Sequence, residues 1–384
     1  MTPFDFDTQI DRRGTASEKW ERYRDTDILP MWVADTDFMS PPGVIKALHE
    51  RIDHGIFGYT EAPESLVQTV IKRMASEYNW SIESDWIVWL PGLVCGLNLA
   101  CRAVGTSQDT VIAPQPIYPP FVTAPRLSDR HVTQIPMVDH GQRRVLDFDA
   151  LEANITEQTQ LLLFCNPHNP GGTVYKREEL TRLASIAEQH NITICSDEIH
   201  CDLVLEPGLV HIPLASISET IAQRTITLMA PSKTYNIAGL GCSFAIIPNP
   251  QLRRQFNQVR KGIVPSVNLL GYTAAEAAYA TGDQWNTKQL DYLRANRDYL
   301  VKEINQIPGL SLLPIEATYL AWIDISGAKL ENPVRFFEEA GVGMSPGRDF
   351  GDDRYMRLNF GCPRALLEEA IRRLRIALIN HLPV

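Results

Sequence analysis

The sequence predicts an α/β fold in which helices cover both faces of a mostly parallel β-sheet. One observation behind this expectation is that the middle of the 384-residue chain alternates short β-rich runs with helical periodicity. A second is that the runs are compact and apolar, which is typical of parallel strands buried on both faces. The predicted strands are residues 110–113, 160–164, 192–196, 225–229 and 243–247.

Two helices are predicted among these strands from the spacing of apolar residues. One follows Thr173 and the other follows Pro250, and both are interpreted as crossover helices. Their apolar faces are Leu180, Leu183, Ala184 and Ala187 in the first and Leu252, Phe256, Val259 and Ile263 in the second.

The C-terminal part of the chain has a different pattern, which predicts a smaller α+β region. An amphipathic helix over 290–304 is followed by strands over 318–325 and 355–360, and a final helix opens at Pro363. No repeat or low-complexity linker interrupts the chain. We expect a segment over 1–48 that packs with the small domain, a large domain over 49–284 and a small domain over 285–384.

Composition and charge argue against several classes of function. The 46 acidic residues outnumber the 36 Lys and Arg, which gives a formal net charge of -10, and no long basic cluster is present. Nucleic acid is therefore not expected as a partner. The N-terminus lacks the features of a signal peptide, and no apolar run approaches the roughly 20 residues of a spanning helix. The sequence thus predicts a cytoplasmic protein without a membrane partner.

The seven cysteines indicate reduced thiols, because their number is odd and none forms a C-x-x-C pair. Cys195 and Cys201 flank an Asp-Glu-x-His group, which could suggest a metal site. Because paired ligand spacing is absent, we expect both to be small buried hydrophobes and predict no metal.

The candidate chemistry lies at the carboxyl ends of the predicted strands, where open α/β sheets form their ligand crevice. Lys233 follows the 225–229 strand within Ala-Pro-Ser-Lys-Thr-Tyr-Asn. A lysine that forms an imine with an aldehyde cofactor needs a lowered pKa and a fixed position, which a strand end facing a cleft provides. An exposed turn lysine is the alternative interpretation.

Three further strand-end segments carry candidate polar groups. Asp197, in Ser-Asp-Glu-Ile-His, suits a protonated pyridine nitrogen, with a helix N-cap as the alternative. Asn169, in the second of two Asn-Pro units, offers a rigid amide for a phenolic oxygen, unless the segment is a plain turn. Gly92 lets the amides of a helix N-terminus approach a phosphate, although close helix packing explains a glycine equally well.

Taken in chain order, these segments resemble the fold-type I pyridoxal-phosphate family, which has the aspartate aminotransferase fold. The resemblance covers nearly the whole chain and implies a mostly parallel seven-stranded sheet in the large domain, with pyridoxal 5'-phosphate as cofactor. Five strings resemble the cystathionine β-lyase or cysteine-S-conjugate β-lyase branch: WVADTDF at 32–38, GYTE at 58–61, NPHNPGG at 166–172, SDEIHCDL at 196–203 and RLNFGCPR at 357–364.

The resemblance implies roles for the residues around the cofactor ring. Lys233 is the expected Schiff-base lysine and moves the α-proton, Asp197 pairs with the pyridine nitrogen, and Asn169 meets the phenolic oxygen. His200 stands where aminotransferases of this fold often carry a tyrosine that touches the same oxygen, so a cofactor contact is expected there as well. Tyr118 is expected to stack on the ring, with simple packing in a proline-rich turn as the alternative.

For the cofactor phosphate, the resemblance implies backbone amides, one hydroxyl and a residue from a second subunit. A homodimer with an active site shared across the interface follows. The residues concerned are Gly92, Leu93, Val94, Ser232 and, from the second subunit, Tyr59. Ala230 and Gly241 stand where serine and arginine are common in aminotransferases, so the anchoring is expected to differ in detail.

For the substrate, the resemblance implies that Arg357 clamps the α-carboxylate, with Val33, Ala34 and Tyr118 lining the same pocket. A surface arginine on an edge strand is the alternative for Arg357. The expected activity is cleavage of cystathionine, cysteine or a cysteine S-conjugate to a thiol, pyruvate and ammonia. An aminotransferase of similar fold is the first alternative, and a cofactor-binding protein that acts mainly on a partner is the second.

Overall fold

The computed structural model describes residues 4–381, which form thirteen strands and thirteen α-helices. The strands are β1 (Leu29–Pro30), β2 (Ile87–Leu90), β3 (Thr110–Gln115), β4 (His131–His140), β5 (Arg143–Leu146), β6 (Thr159–Cys165), β7 (Thr193–Asp197), β8 (Thr225–Met229), β9 (Ser243–Ile246), β10 (Leu320–Asp324), β11 (Val342–Gly343), β12 (Ser345–Pro346) and β13 (Tyr355–Asn359).

The helices surround the strands in the order expected of an α/β protein. They are α1 (Glu18–Glu21), α2 (Pro42–Asp53), α3 (Glu64–Tyr78), α4 (Leu93–Ala103), α5 (Pro120–Arg126), α6 (Phe148–Ala153), α7 (Arg177–Gln189), α8 (Glu219–Ala222), α9 (Pro250–Arg260), α10 (Leu269–Thr281), α11 (Asp283–Ile304), α12 (Pro333–Glu339) and α13 (Arg364–His381).

The main sheet has the strand order β2-β9-β8-β7-β6-β3-β4-β5. Strands β4, β3, β6, β7 and β8 pair in parallel, which confirms the predicted fold class. The sheet contains eight strands rather than the expected seven. The additional strand is β5, which returns antiparallel on β4 after the chain reverses at Gly141, where φ is +69°.

The alternation of side chains along the central strands explains their continuous apolar sequence. On β6, Leu161 and Leu163 contribute to the core that includes Leu97 of α4. Leu162 and Phe164 contribute to the core that includes Leu180 of α7. Both faces of the sheet are therefore covered, and α7 is the predicted crossover helix between β6 and β7.

Two expectations for the segment after β8 are wrong. Strand β9 runs antiparallel to β8, because the intervening residues 230–242 contain no crossover helix and lead the chain back along the sheet. Helix α9 therefore does not connect parallel strands. It ends at Arg260 and is followed by Gly262 with a φ of +78°, so Ile263 lies beyond the helix and is exposed.

A smaller antiparallel sheet, in the order β10-β13-β12, brings Arg357 opposite Trp322 and Ser345. Strand β1 near the N-terminus pairs with β11 in the C-terminal part. The backbone N–H of Asn359 also donates to the carbonyl of Met31. These contacts join the N-terminal segment to the C-terminal part of the chain, while the proposed domain division remains a prediction.

Several observations bear on the expected environment of the protein. Within residues 4–381 no helix combines the length and apolarity needed to cross a membrane. Cys195 and Cys201 are both buried in apolar clusters, as predicted. The same part of the chain contains no group of His, Cys, Asp and Glu side chains arranged to hold a metal ion.

Candidate active site

A cavity of about 680 Å³ opens at the carboxyl ends of the parallel strands, and it contains nearly all of the predicted site residues. Their convergence follows from the topology, because parallel strand ends meet at one edge of the sheet. The predicted residues that line the cavity are Val33, Ala34, Gly92, Leu93, Val94, Tyr118, Asn169, Asp197, His200, Ser232, Lys233 and Arg357.

Lys233 lies in the loop after β8, and its side chain is half-buried in the cavity wall. Its Nζ donates a hydrogen bond to the carbonyl of Ala34, 2.7 Å away. Burial lowers the pKa of Lys233, and the positive charge of Arg357 contributes to the same shift. A lowered pKa enlarges the fraction of neutral amine, which is the form that attacks an aldehyde.

Asp197 ends β7 on the wall of the same cavity and is almost completely buried. One of its oxygens accepts a hydrogen bond from the backbone N–H of Ile199 at 3.1 Å. Burial raises the pKa of Asp197 to about 7, and the neighbouring Glu198 carboxylate adds to this increase. A cationic group next to Asp197 would lower its pKa and so favour the ionised carboxylate.

Arg357 projects from β13 into the cavity as a buried guanidinium. It donates to the Asn169 side-chain oxygen at 3.1 Å and to the Trp32 carbonyl at 2.8 Å, and its Cζ lies 4.6 Å from the ring centroid of Phe350. Within residues 4–381 no carboxylate pairs with Arg357, and its Nε has no hydrogen-bond partner. Burial lowers its pKa to about 10, so the side chain remains a cation suited to an incoming carboxylate.

The first turn of α4 also lines the cavity. Gly92 precedes this eleven-residue helix, and in the described part of the chain no side chain caps its N-terminal amides. A Cβ atom built on Gly92 would meet open space, so the backbone is accessible from the cavity. Together with the Ser232 hydroxyl, which lines the same cavity, these amides form a site that suits a phosphate.

The remaining ring contacts are consistent with the expected cofactor. Asn169 uses its side-chain oxygen for Arg357, which leaves its amide nitrogen available as a donor. His200 is buried, and among residues 4–381 its Nδ1 has no hydrogen-bond partner; burial lowers its pKa to about 3, so it is neutral. Lys233, Asp197, the α4 amides and Tyr118 therefore offer an imine-forming amine, a pyridine-nitrogen partner, a phosphate site and an aromatic face. These groups fit pyridoxal phosphate.

Several side chains of the site were not singled out from the sequence. The Tyr319 hydroxyl donates to the carbonyl of Ala34 at 3.2 Å, and Ser345 lies 3.4 Å from Arg357 through its Oγ. Phe350 supplies the ring beneath Arg357. No local motif marks these residues, because the pairing of β13 with β10 and β12 brings them to the site.

Tyr59 is the one predicted site residue that does not line the cavity of its own chain. It is fully exposed, and the nearby Ile56 and Phe57 are also more than half exposed. Its expected contribution from a second subunit stays a prediction.

Comparison with known proteins gives one consistent result. The family model described as aminotransferase class I and II matches residues 26–374. Cystathionine β-lyase PatB of Bacillus subtilis is 36% identical over 97% of this chain and 99% of its own length. The crystal structure of OvoB superposes with a TM-score of 0.96 and 53% identity, covering 98% of this chain and 99% of that one. Cystalysin of Treponema denticola, whose structure contains pyridoxal 5'-phosphate, gives a TM-score of 0.94 and 33% identity over 98% and 99% of the two chains.

Proposed function

Because this chain belongs to the class I and II aminotransferase family, we propose that it is a pyridoxal-phosphate carbon–sulfur β-lyase. Its substrate is cystathionine, cysteine or a cysteine S-conjugate. In the overall reaction the substrate and one water give a thiol, pyruvate and ammonium. The Cβ–S, Cα–H and Cα–N bonds break, and water supplies the carbonyl oxygen of pyruvate. The protons of Cα and water pass to the thiol, the ammonium and the methyl group of pyruvate, so no oxidant or reductant is required.

The observation that carries this proposal is the position of Arg357 relative to Lys233 and Asp197. One cavity holds a buried guanidinium without a carboxylate partner, an amine with a lowered pKa and a buried carboxyl with a raised pKa. An α-amino acid supplies the carboxylate that Arg357 lacks.

Each residue has a defined task in the proposed reaction. Two N–H groups of Arg357 bind the α-carboxylate and orient Cα, and Nζ of Lys233 removes the α-proton. Asp197 holds the proton of the cofactor's ring nitrogen in place, while Gly92, Leu93, Val94 and Ser232 hold the phosphate. Pyridoxal phosphate, when bound, supplies the electron sink that stabilises negative charge at Cα.

The assembly and location are further parts of the proposal. We expect a homodimer in which Tyr59 of each subunit completes the phosphate site of the other, and its complete exposure in the single chain supports this role. The seven free cysteines support a cytoplasmic enzyme, because the reducing conditions of the cytosol keep thiols unpaired.

The decisive experiment mixes purified protein with pyridoxal phosphate and then with cystathionine or cysteine, without any keto acid. We expect equal amounts of pyruvate and thiol, and none from Lys233→Ala. Amino transfer that appears only when a keto acid is supplied would instead establish an aminotransferase.

A further inference from the structure

Lys233 faces a second cavity beside the candidate active site. This N-terminal cavity has a volume of about 600 Å³, and residues from the segments 10–18, 33–38 and 233–239 line it. Lys233 and Ala34 line both cavities, so the charges of either cavity act on the lysine. The charged side chains that line the N-terminal cavity besides Lys233 are Arg12, Glu18, Asp35 and Asp37.

Two carboxylates of the N-terminal cavity are balanced by two cations. Arg12 makes a two-point contact with Asp35, in which Nη2 lies 2.6 Å from one carboxylate oxygen and Nη1 lies 3.3 Å from the other. Nη1 of Arg12 also lies 2.8 Å from the Asp37 carboxylate. The buried Lys19 donates to Asp37 at 2.6 Å, whereas its Nζ is 3.6 Å from Asp35. Arg12 is therefore the nearer of the two cations to Asp35.

The same arginine holds the backbone next to the acceptor of the Lys233 amine. Nζ of Lys233 donates to the carbonyl of Ala34 at 2.7 Å, and Asp35 directly follows Ala34 in the chain. Besides its contact with the Asp35 side chain, Arg12 donates through Nη1 to the carbonyl of Thr36 at 3.2 Å. Arg12 thus fixes both a side chain and the backbone of the segment that positions the lysine.

Asp35 is the carboxylate that acts most strongly on Lys233. Burial lowers the pKa of Lys233, and the charge of Asp35 opposes this change. A guanidinium that balances the carboxylate weakens this opposition. Without Arg12, a net negative charge beside Lys233 would favour its ammonium form, which neither attacks an aldehyde nor removes a proton.

Other ionisable groups face Lys233 from different elements of the fold. The positive charge of Arg357 lowers the pKa of Lys233, whereas the carboxylates of Asp197 and Glu18 raise it. The neutral ionisable groups nearby are His200, Tyr118 and Tyr319. A substitution at Arg12 leaves all of these groups in place, so a resulting change in the pKa of Lys233 reports the charge balance of the N-terminal cavity.

We propose that Arg12 is a positioning residue for Lys233, because it balances the charge of Asp35 beside the amine and fixes the backbone that carries the Ala34 carbonyl. Arg12 acts through this segment and contacts neither the lysine nor the active-site cavity. The inference rests on the role of Lys233 in the proposed function, in which its neutral amine forms the imine with the cofactor and removes the α-proton.

Titration of the holoenzyme by visible absorbance follows the proton on the imine nitrogen of Lys233 and requires no turnover. An unbalanced Asp35 carboxylate stabilises the positive charge on this nitrogen, so the pH midpoint of the absorbance change should rise by about one unit in Arg12→Gln. Because Arg12 and Asp35 are both partly exposed, the rise should become smaller as salt is added. Arg12→Lys keeps the cation and should recover most of the wild-type midpoint.

Removal of the carboxylate tests whether Arg12 acts through Asp35. Asp35→Asn alone leaves a net positive charge beside Lys233, so its midpoint should lie below that of the wild type. The double variant Arg12→Gln/Asp35→Asn is balanced again, since Lys19 still pairs with Asp37, and its midpoint should return to that of the wild type. The double variant carries no excess charge, so it remains informative even where Arg12→Gln alone does not fold.

Arg13→Gln is the matched control. Arg13 is the next residue in the chain and makes a similar two-point contact with Asp11, with Nε 2.9 Å and Nη2 3.0 Å from the two carboxylate oxygens. Both side chains of this pair are more than half exposed, and Arg13 lines neither cavity. The control should keep the midpoint of the wild type and its dependence on salt.

The full chain without cofactor gives a second readout. Only the neutral amine of Lys233 forms the imine, and at a pH well below the pKa of the amine a rise of about one unit lowers the neutral fraction about tenfold. The rate constant for imine formation with pyridoxal phosphate should therefore be about tenfold smaller in Arg12→Gln than in the wild type on the acid side of the profile. The double variant should recover the wild-type rate constant.

The outcomes separate this inference from the proposed function. If Arg12→Gln titrates as the wild type does, or if the double variant is displaced from the wild type by as much as the single variant, the role of Arg12 is wrong whichever reaction the enzyme catalyses. If the shift and its reversal are both observed but the holoenzyme cleaves neither cystathionine nor cysteine nor a conjugate, the role of Arg12 stands and the lyase function is wrong.

Discussion

Nε2 of His211 lies 2.7 Å from the Glu198 carboxylate, and this buried pair adjoins Asp197 along the chain. A carboxylate only accepts, so the imidazole donates. Glu198 also accepts from the Ser196 hydroxyl at 2.7 Å and from the backbone N–H of Leu214 at 3.1 Å. These three donors fix the loop that follows β7 and hold the Glu198 side chain next to Asp197.

His211→Ala should lower the free energy of unfolding by about 3 kcal/mol, because it leaves the Glu198 carboxylate buried without one of its two closest donors. Urea denaturation at one fixed protein concentration measures the loss. His49→Ala, on an exposed position of α2, should stay within about 0.5 kcal/mol of the wild type. The double variant His211→Ala/Glu198→Gln should lose less unfolding free energy than the sum of the losses in the two single variants. Strictly additive losses would contradict the pairing.

The stability of the cofactor-free protein should depend on pH through Asp197. Burial raises its pKa to about 7, so the folded chain holds this proton over a range in which the unfolded chain has lost it. The contribution of Asp197 to the unfolding free energy therefore decreases as pH rises from about 4 to about 7.

Asp197→Asn removes this contribution. Between pH of about 4 and about 7, the unfolding free energy of the wild type should therefore fall by up to about 4 kcal/mol more than that of the variant. The difference between their unfolding free energies, measured at several pH values, isolates this one group from others that titrate in both proteins. If the unfolding free energies of the two proteins change with pH in parallel, Asp197 has an ordinary pKa in the folded chain.

Arg357→Met should separate activity from stability. The variant loses the partner of the substrate carboxylate, and we expect kcat/KM to fall by at least about 100-fold. Since Arg357 is a buried cation without a carboxylate partner, its replacement should change the unfolding free energy by less than about 1 kcal/mol. Arg354→Met, at an exposed residue paired with Asp352, should retain kcat/KM. A large loss of stability in Arg357→Met would assign the guanidinium a structural role.

Mixing two inactive variants tests the shared site. In a heterodimer of Tyr59→Ala and Lys233→Ala subunits, one of the two sites combines an intact Tyr59 with an intact Lys233. Random exchange should therefore restore about one quarter of the wild-type activity per dimer. No recovery, with exchange verified by native mass spectrometry, would place Tyr59 outside the site.

The sequence allowed much of the site to be predicted because its residues follow strand ends. Asp197, Lys233 and Asn169 each lie within a few residues of a buried apolar strand, and parallel pairing brings such positions together. Arg357 was predicted from a specific string and occupies the expected cavity. In these cases local sequence and topology agree.

Other features of the fold and the site depend on contacts between residues far apart in the sequence, which no local sequence pattern predicts. The antiparallel direction of β9 follows from the path of residues 230–242, and apolar content alone cannot distinguish it from a parallel neighbour. His211 and Glu198 are separated by a loop, so their contact has no fixed spacing. Glu18 lies on a four-residue helix whose position is set by Lys19, Trp32 and Asp37, which come together only in the folded chain.

The hydrogen bond between Arg357 and the Trp32 carbonyl has a consequence for the synthesis of the protein. It joins residues 325 positions apart, so the substrate end of the cavity is assembled only when nearly all of the chain has left the ribosome. The elements that carry Gly92, Asp197 and Lys233 emerge well before that. A nascent chain therefore presents its reactive lysine before it can bind the α-carboxylate of a substrate, and cofactor capture can precede the completion of the catalytic pocket.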